Sequence, residues 1–283
     1  MKIEVKDFNL EATLDSGQVF GFTKDPQRKI YKGIISGVVV ELSQRRGAIY
    51  CAQDRGVMNH VPTTITPQTI RNYFDLDRDL NPVYEILKGD EKLSGAAINL
   101  KGLRLIHQDS WEALACFIIS SNNNVKRIQG IWRNLCEYFC RGAVHRAQFP
   151  SATQIAKSHE RILRQLGLGY RAPFLQKTAQ FVSANPGSLQ MIKDSSYEDA
   201  KARVLSFPGI GPKVADCVLL YGFRKFEAFP VDVWILRIMR RLYFKNRKIS
   251  EDKIHAFGQK RWGKDAGYIQ QYLFHGARTG ILV

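Results

Sequence analysis

A glycine turn, a lysine just after it and a carboxylate downstream dominate the C-terminal third of the chain. They lie in Phe207-Pro208-Gly209-Ile210-Gly211-Pro212-Lys213-Val214-Ala215-Asp216-Cys217 and in Pro230-Val231-Asp232-Val233-Trp234. Gly209 and Gly211 permit positive φ, and their missing side chains let a phosphate approach the amide N–H groups that open the next helix. Pro212 suits the first helical position, where no N–H is required, so Lys213 falls in the first turn of a helix whose positive end disfavours a protonated amine. Asp232 precedes the apolar positions Ile235, Ile238, Met239 and Leu242, where an aspartate caps a helix and stays ionised against its dipole. The segment predicts two helices around a tight turn that docks a phosphodiester, with a nucleophilic amine facing a carboxylate. Taken singly, the same residues are ordinary helix punctuation: a turn, a solvated lysine and a cap.

Upstream the pattern changes once. Gln18 to Phe22, Lys29 to Ile34, Val38 to Leu42 and Ala48 to Ala52 are short β-branched or aromatic runs separated by Asp25-Pro26, Ser36-Gly37 and Arg45-Arg46-Gly47, which predicts an antiparallel meander. After Pro67 the period lengthens, and Ile70, Tyr73 and Phe74, then Trp111, Leu114, Ala115 and Ile118, then Ile128, Trp132 and Leu135 mark successive helices. The expected class is α+β, with an antiparallel β region and short helices over residues 1–100 packed on a helical body over 101–283. The hairpin occupies about 200–222 of that body. No Gly/Ser/Pro-rich linker separates the two parts, so they are expected to pack rather than hang on a tether.

Charge narrows the partner. The 283 residues carry 42 Lys and Arg against 26 Asp and Glu, a formal net charge of +16. Such a field attracts a polyanion, as RNA-binding and ribosomal proteins also show. If about 6–10 phosphates are neutralised, affinity falls roughly 10³–10⁵-fold between about 50 and 200 mM salt. The five cysteines, Cys51, Cys116, Cys136, Cys140 and Cys217, are odd in number and sit in apolar or helical contexts, which fits a reducing compartment. Cys136 and Cys140 share a helical turn but lack a second pair or a nearby histidine, so no zinc site is expected. The N-terminal residues have no apolar signal core and no run is long enough to span a membrane, so an intracellular protein is expected: cytoplasm or nucleoid in a bacterium or archaeon, nucleus in a eukaryote.

The hairpin, its lysine and the Val-Asp carboxylate resemble the helix-hairpin-helix DNA glycosylases in order and spacing. Within that superfamily, Asp15-Ser16-Gly17-Gln18, Ser120-Ser121-Asn122-Asn123-Asn124-Val125-Lys126-Arg127, Leu166-Gly167-Leu168-Gly169-Tyr170-Arg171-Ala172 and Gly267-Tyr268-Ile269-Gln270-Gln271-Tyr272-Leu273-Phe274 are similar to the 8-oxoguanine DNA glycosylases. The resemblance extends over almost the whole length, and its four motifs are specific in combination.

The resemblance implies an enzyme that takes one base out of the duplex and holds it by a flat contact and by edge hydrogen bonds. Phe274 would cover the base plane, with Cys217 on its opposite face and Pro230 against it. Gln270, one turn before Phe274, would read the Watson–Crick edge. Oxidation at C8 turns guanine N7 into a donor, and the Gly17 carbonyl would accept it. Asn122, Arg127 and Arg171 match positions that contact the estranged cytosine, and Tyr170 would wedge into the stack, a contact worth about 1–3 kcal/mol. Gly209 and Gly211 would hold a phosphate. Trp234 stands where eukaryotic members carry a histidine that approaches a DNA phosphate; an indole has one donor and no charge.

The same resemblance implies attack by neutral Lys213 at C1′, a Schiff base, and β-elimination that nicks the strand, with Asp232 stabilising cationic sugar character and shuttling protons. An ordinary lysine is neutral about once in 2,500 molecules at pH 7, so a pKa lowered to roughly 7–8 is expected for Lys213. Two other readings stand beside this one. A monofunctional glycosylase for alkylated or mismatched bases would use Asp232 to activate water, and a non-catalytic module would use the hairpin for docking alone. No cofactor is required and no iron–sulfur cluster is expected. A monovalent cation on the main-chain carbonyls of Leu205, Phe207 and Ile210 is part of the implied set, as are a monomeric state and a duplex partner carrying oxidised guanine opposite cytosine.

Overall fold

The computed structural model describes residues 1–53, 64–139 and 148–282. Cys140 lies outside these residues, and so does any arrangement of Cys136 with it. Five antiparallel strands, β1 (Lys2–Glu4), β2 (Thr23–Asp25), β3 (Ile30–Ile35), β4 (Val38–Arg45) and β5 (Ala48–Gln53), form one sheet in the order β1-β5-β4-β3-β2. Two of its turns follow directly from sequence. Ser36-Gly37 joins β3 to β4 with φ of 51° and 77°, and Arg46-Gly47 joins β4 to β5 with φ of 45° and 73°. Positive φ at both central residues matches the twist of a two-residue hairpin, and sets the register that pairs Ile35 with Val38 and Arg45 with Ala48. Val38, Val40 and Leu42 then face inward on alternate positions.

The expected strand over Gln18 to Phe22 does not form, and the short charged strand β1 takes an edge that its composition hides. Residues 18–22 instead run between two cores. Phe20 enters the helical core while Val19 and Phe22 enter the sheet core, so apolar residues there record two packing partners rather than one pleated face.

Of the short helices, α1 (Leu10–Leu14) and α2 (Pro67–Tyr73) put Leu10, Leu14 and Ile70 into the sheet core, whereas α3 (Asn81–Gly89) and α4 (Ser94–Asn99) put Val83, Leu87 and Ala96 into the helical core. The body follows with α5 (Ser110–Ser120), α6 (Val125–Phe139), α7 (Ala152–Lys157), α8 (Glu160–Leu163), α9 (Ala172–Ala184) and α10 (Ser188–Asp194). The last five are α11 (Tyr197–Leu205), α12 (Pro212–Phe223), α13 (Val233–Tyr243), α14 (Glu251–Trp262) and α15 (Ala266–Thr279). The periodicities centred on Ile70, Trp111 and Ile128 correspond to α2, α5 and α6. No described helix is long and apolar enough to cross a membrane.

The junction is fixed by buried polar groups. The fully buried Gln18 amide donates to the Arg104 carbonyl at 2.8 Å and to the Thr13 carbonyl at 3.1 Å, and accepts from the Ile106 N–H at 2.7 Å. Buried Arg104 donates in turn to the carbonyls of Asp7, Asp75 and Arg78. Each group would be costly to leave unpaired, so the loop carrying Gly17 is held rigidly against the helices.

α12 is central to the body. A methyl group on its Gly222 would meet Ala113 Cβ of α5 at 2.9 Å, so glycine permits close helix approach. Phe117 and Tyr221 stack across the same contact with centroids 5.2 Å apart. On α5, burial pushes the Glu112 carboxyl up to about 7, against the Trp132 indole N–H that it accepts at 2.8 Å. A carboxyl whose folded pKa is raised holds a proton that the unfolded chain has released, so stability falls as pH rises from about 4.5 to 7 and then levels. Glu112→Gln keeps the acceptor and removes the charge. Urea melts of the variant should show this pH slope flattened, with stability at pH 8 raised by about 1–3 kcal/mol.

Candidate active site

The turn after α11 puts Gly209 at φ 77°, where a methyl group would meet the Phe174 ring at 2.3 Å. Both the backbone and the neighbour therefore require glycine. Gly209→Ala should cost about 2–4 kcal/mol in a urea melt, from left-handed strain and overpacking together. Gly211 differs from expectation. Its φ of −97° is ordinary extended backbone, and a methyl group there would meet nothing within 4 Å. Its small size leaves open space in front of the first N–H groups of α12, and no special backbone conformation is needed. Pro212 takes the first position of α12 as expected, with Lys213 next. Phe174 also packs edge-on against Tyr170, centroids 6.3 Å apart, which ties the hairpin to the expected wedge.

Lys213 is held in α12 with Cys217 one turn below. The expected lowering of its pKa does not occur in the free protein. The amine is pushed above the ordinary lysine value by Cys217 first and by Asp232, with burial opposing. Burial in turn pushes the Cys217 thiol up to about 11. At neutral pH that thiol is protonated, so the negative charge facing Lys213 is that of Asp232. Helix position and desolvation favour a neutral amine, and it takes Cys217 together with the smaller effect of Asp232 to outweigh them.

Asp232 caps α13 as the sequence predicts, accepting through Oδ1 from the N–H groups of Trp234 at 3.0 Å and Ile235 at 2.8 Å. Its carboxyl is pushed up by burial, against those two donors, Lys213 and Arg278. A fixed orientation with a raised proton affinity suits a proton relay. Three residues after Lys213 on α12, buried Asp216 accepts from the Tyr197 hydroxyl at 2.7 Å and pairs with Lys201 at 3.0 Å and His255 at 3.1 Å. This cluster fixes the rotation of α12, and thus the direction of Lys213, by joining α11, α12 and α14. Sequence reading passed over it because its members are distant in the chain.

α15 brings the base-contacting candidates together. Gln270 is buried and donates to the Pro230 carbonyl at 3.1 Å, while its Oε1 is buried without a partner. One turn on, half-buried Phe274 faces Gly17, where a methyl group would lie 3.4 Å from the ring. Gly17 has φ 78°, so the loop needs glycine conformationally as well as sterically. Arg278, one turn further, was missed. Its guanidinium lies 5.2 Å from the Phe274 centroid, and its position follows from the spacing of Gln270 and Phe274 on one helix face.

The remaining candidates form a second group. Asn122 has φ 47° at the exposed turn between α5 and α6. Arg171 is buried, donating from Nε to the Ser121 carbonyl at 2.6 Å and from Nη2 to the Asn122 carbonyl at 2.8 Å. Two of its donors thus shape the turn in the free chain and do not point at a partner base. The Tyr170 hydroxyl donates to the same Ser121 carbonyl at 3.2 Å, and its ring, 47% exposed, lies beside the Arg171 guanidinium. Arg127 is exposed at the start of α6, its N–H bound to Asn124 Oδ1 at 2.9 Å. Trp234 is 38% exposed on the first turn of α13, with the Arg237 guanidinium 5.9 Å from its ring. Arg127 and Arg237 are thus exposed charges, whereas Lys213 and Asp232 are half-buried.

Comparison with known proteins agrees with this geometry. Residues 1–114 match the 8-oxoguanine DNA glycosylase N-terminal domain, and residues 115–264 match the HhH-GPD superfamily base excision DNA repair protein model. A probable N-glycosylase/DNA lyase of Methanothermobacter thermautotrophicus is 34% identical, over 100% of this chain and 97% of its own length. The 8-oxoguanine glycosylase/lyase of Clostridium acetobutylicum, solved with double-stranded DNA containing cytosine opposite 8-oxoG, superposes with a TM-score of 0.85 at 30% identity, covering 99% of this chain and 98% of its own. A 3-methyladenine DNA-glycosylase from Archaeoglobus fulgidus has a TM-score of 0.77 with 98% coverage of each chain, but at 22% identity it shows a shared fold alone.

Proposed function

Because the chain belongs to the HhH-GPD superfamily of base excision DNA repair proteins, we propose that it is a bifunctional N-glycosylase/DNA lyase acting on 8-oxoguanine opposite cytosine in duplex DNA. The observation that carries this reading is a run of neighbouring groups: Lys213 lies near Asp232, Asp232 feels Arg278, Arg278 and Phe274 adjoin Gly17, and Gln270 on the same helix donates to the Pro230 carbonyl. The nucleophile supports a lyase, and the glycine carbonyl beside an aromatic face supports an oxidised purine. The net charge of +16 supports a DNA partner.

In this mechanism the flipped base lies on Phe274, with Gln270 at its Watson–Crick edge and the Gly17 carbonyl accepting N7–H. Cys217, a neutral thiol beside Lys213, packs against the other face, with Pro230 adjoining. Lys213 must first lose a proton, and Asp232 is the carboxylate near enough to favour its charge and to relay that proton onward. The free amine then donates its electron pair to C1′ while the C1′–N9 bond breaks and its pair moves onto the purine, which takes up the proton. Opening of the sugar gives the Schiff base, and loss of a C2′ proton expels the 3′ phosphate by β-elimination.

Asn122, Arg127 and Arg171 belong with the estranged cytosine, Tyr170 with the gap, and Gly209, Gly211 and Trp234 with the backbone. A monovalent cation on the carbonyls of Leu205, Phe207 and Ile210 is compatible with the turn, where the Ile210 N–H donates to the Phe207 carbonyl at 3.3 Å and leaves that oxygen a second lone pair. No cofactor enters any step. The enzyme acts where the cell keeps its DNA.

Incubation with duplexes carrying 8-oxoguanine opposite each of the four bases should release 8-oxoguanine and nick the strand, fastest opposite cytosine. Base release without a nick would favour a monofunctional enzyme. Binding of damaged and undamaged duplex alike, with no release, would leave only a docking module.

A further inference from the structure

Arg278 has no part in Schiff-base formation or elimination, and its surroundings are unusual. Its Nη1 is buried with no hydrogen-bond partner, although a guanidinium carries five donors and always bears charge. A methyl group on Gly17 would lie 2.9 Å from that atom, so Nη1 sits beside the glycine whose carbonyl faces the N7 edge in the proposed complex. With Gly17, Arg278 lines a cavity of about 420 Å³ that Asp15 also borders. Asp15 is already occupied, accepting through Oδ2 from Lys24 at 3.0 Å and Tyr31 at 2.9 Å. Asp232, which feels the Arg278 charge, uses Oδ1 on its own helix cap.

His275 Nδ1 is also unpartnered on α15, but the other two orphaned atoms, which flank Phe274 in sequence at four-residue spacing, are complementary to one kind of molecule. Gln270 Oε1 is a buried acceptor without a donor, and Arg278 Nη1 is a buried donor without an acceptor. Phe274 lies between them on the same helix face. Residues four apart are separated by about 6 Å along the axis, and long helical side chains lean back toward the N-terminus. A planar ligand on Phe274 with donors at one edge and a carbonyl at the other would satisfy both. Guanine oxidised at C8 has N1–H and N2–H at one edge and the C8 oxygen at the opposite one. Unmodified guanine has only C–H at that second position and would leave Nη1 unpaired.

We propose that Arg278 is a specificity residue that donates Nη1–H to the C8 oxygen of the flipped base. This rests on the 8-oxoguanine reading. The contact adds positive selection of the C8 oxygen to the recognition of N7–H by Gly17. It also places a fixed positive charge where negative charge gathers when the purine departs with the C1′–N9 electron pair. A pocket built around such a donor rejects a ligand without the acceptor far more strongly than an apolar pocket would.

The test compares wild type, Arg278→Met and Arg278→Lys in two single-turnover reactions: 8-oxoguanine excision opposite cytosine, and cleavage at a preformed abasic site, which needs Lys213 but no base. The ratio of excision to abasic cleavage should fall about 100-fold in Arg278→Met and recover partly in Arg278→Lys. Competition by free 8-oxoguanine should weaken in Arg278→Met while competition by free guanine does not change, which separates hydrogen bonding from mere support of the Phe274 ring. An unchanged ratio, or equal loss of competition by both bases, would overturn the assignment. Failure of the wild type to release 8-oxoguanine at all would refute the functional reading instead.

Discussion

Lys213→Gln is expected to lose base excision and abasic-site cleavage together, each by about 10⁴-fold or more, while duplex affinity stays close to that of wild type. One amine serves both steps, so the two activities cannot be separated at this residue. Glutamine keeps polarity and all but one atom of the length in a position where the native side chain is held with Cys217 and Asp232. The wild-type pH profile belongs to the same prediction. The neutral amine is the reactive form, and its pKa in the free protein is raised, so kcat/KM should climb as pH rises through neutrality, with about tenfold per unit as the limiting slope. Rapid-quench kinetics on both substrates across pH 6 to 9 would check this. A profile falling over that range would contradict the assignment of Lys213 as the group that must lose a proton.

Asp232→Asn should reduce excision by about 10²–10⁴-fold, with folding stability changed by no more than about 1 kcal/mol. The reason lies in the two functions of this residue. As a cap, its Oδ1 binds two N–H groups at the start of α13, and asparagine caps helices about as well as aspartate. As a carboxylate, it supplies the charge near Lys213 and a site for a proton, which asparagine cannot. Parallel urea melts and single-turnover rates separate the two, and Asp232→Ala should lose stability in addition. Equal loss of stability and rate in Asp232→Asn would reduce Asp232 to its capping role.

What sequence reading recovered was local. Pro212 at the first position of α12 and Asp232 at the cap of α13 are set by neighbours within one turn, so residue identity was enough. The Ser36-Gly37 and Arg46-Gly47 hairpins were readable for the same reason. Gln18 to Phe22 was not, because its side chains alternate between two cores that only the assembled fold defines. Gly211 looked like a left-handed turn residue, yet open space rather than torsion is what its missing side chain provides. The protonation of Lys213 was misjudged because it depends on a balance between burial and the Cys217 and Asp232 groups brought close by packing, and position in the helix does not fix that balance. Arg278 escaped notice since its relation to Gly17 joins the two ends of the chain. The specific base and the role of Asn122, Arg127 and Tyr170 came from resemblance, because no local pattern encodes what a distant loop will meet across a DNA duplex.

The central claim is that Lys213 makes a covalent bond to the sugar it frees of 8-oxoguanine. Borohydride added during turnover of a duplex containing 8-oxoguanine opposite cytosine reduces such a Schiff base to a stable amine, and protease digestion with mass spectrometry locates it. A trapped adduct on the peptide containing Lys213, formed at a rate matching base release, is the expected result. An adduct on another lysine or on the N-terminal amine, or base release with no adduct, would contradict it.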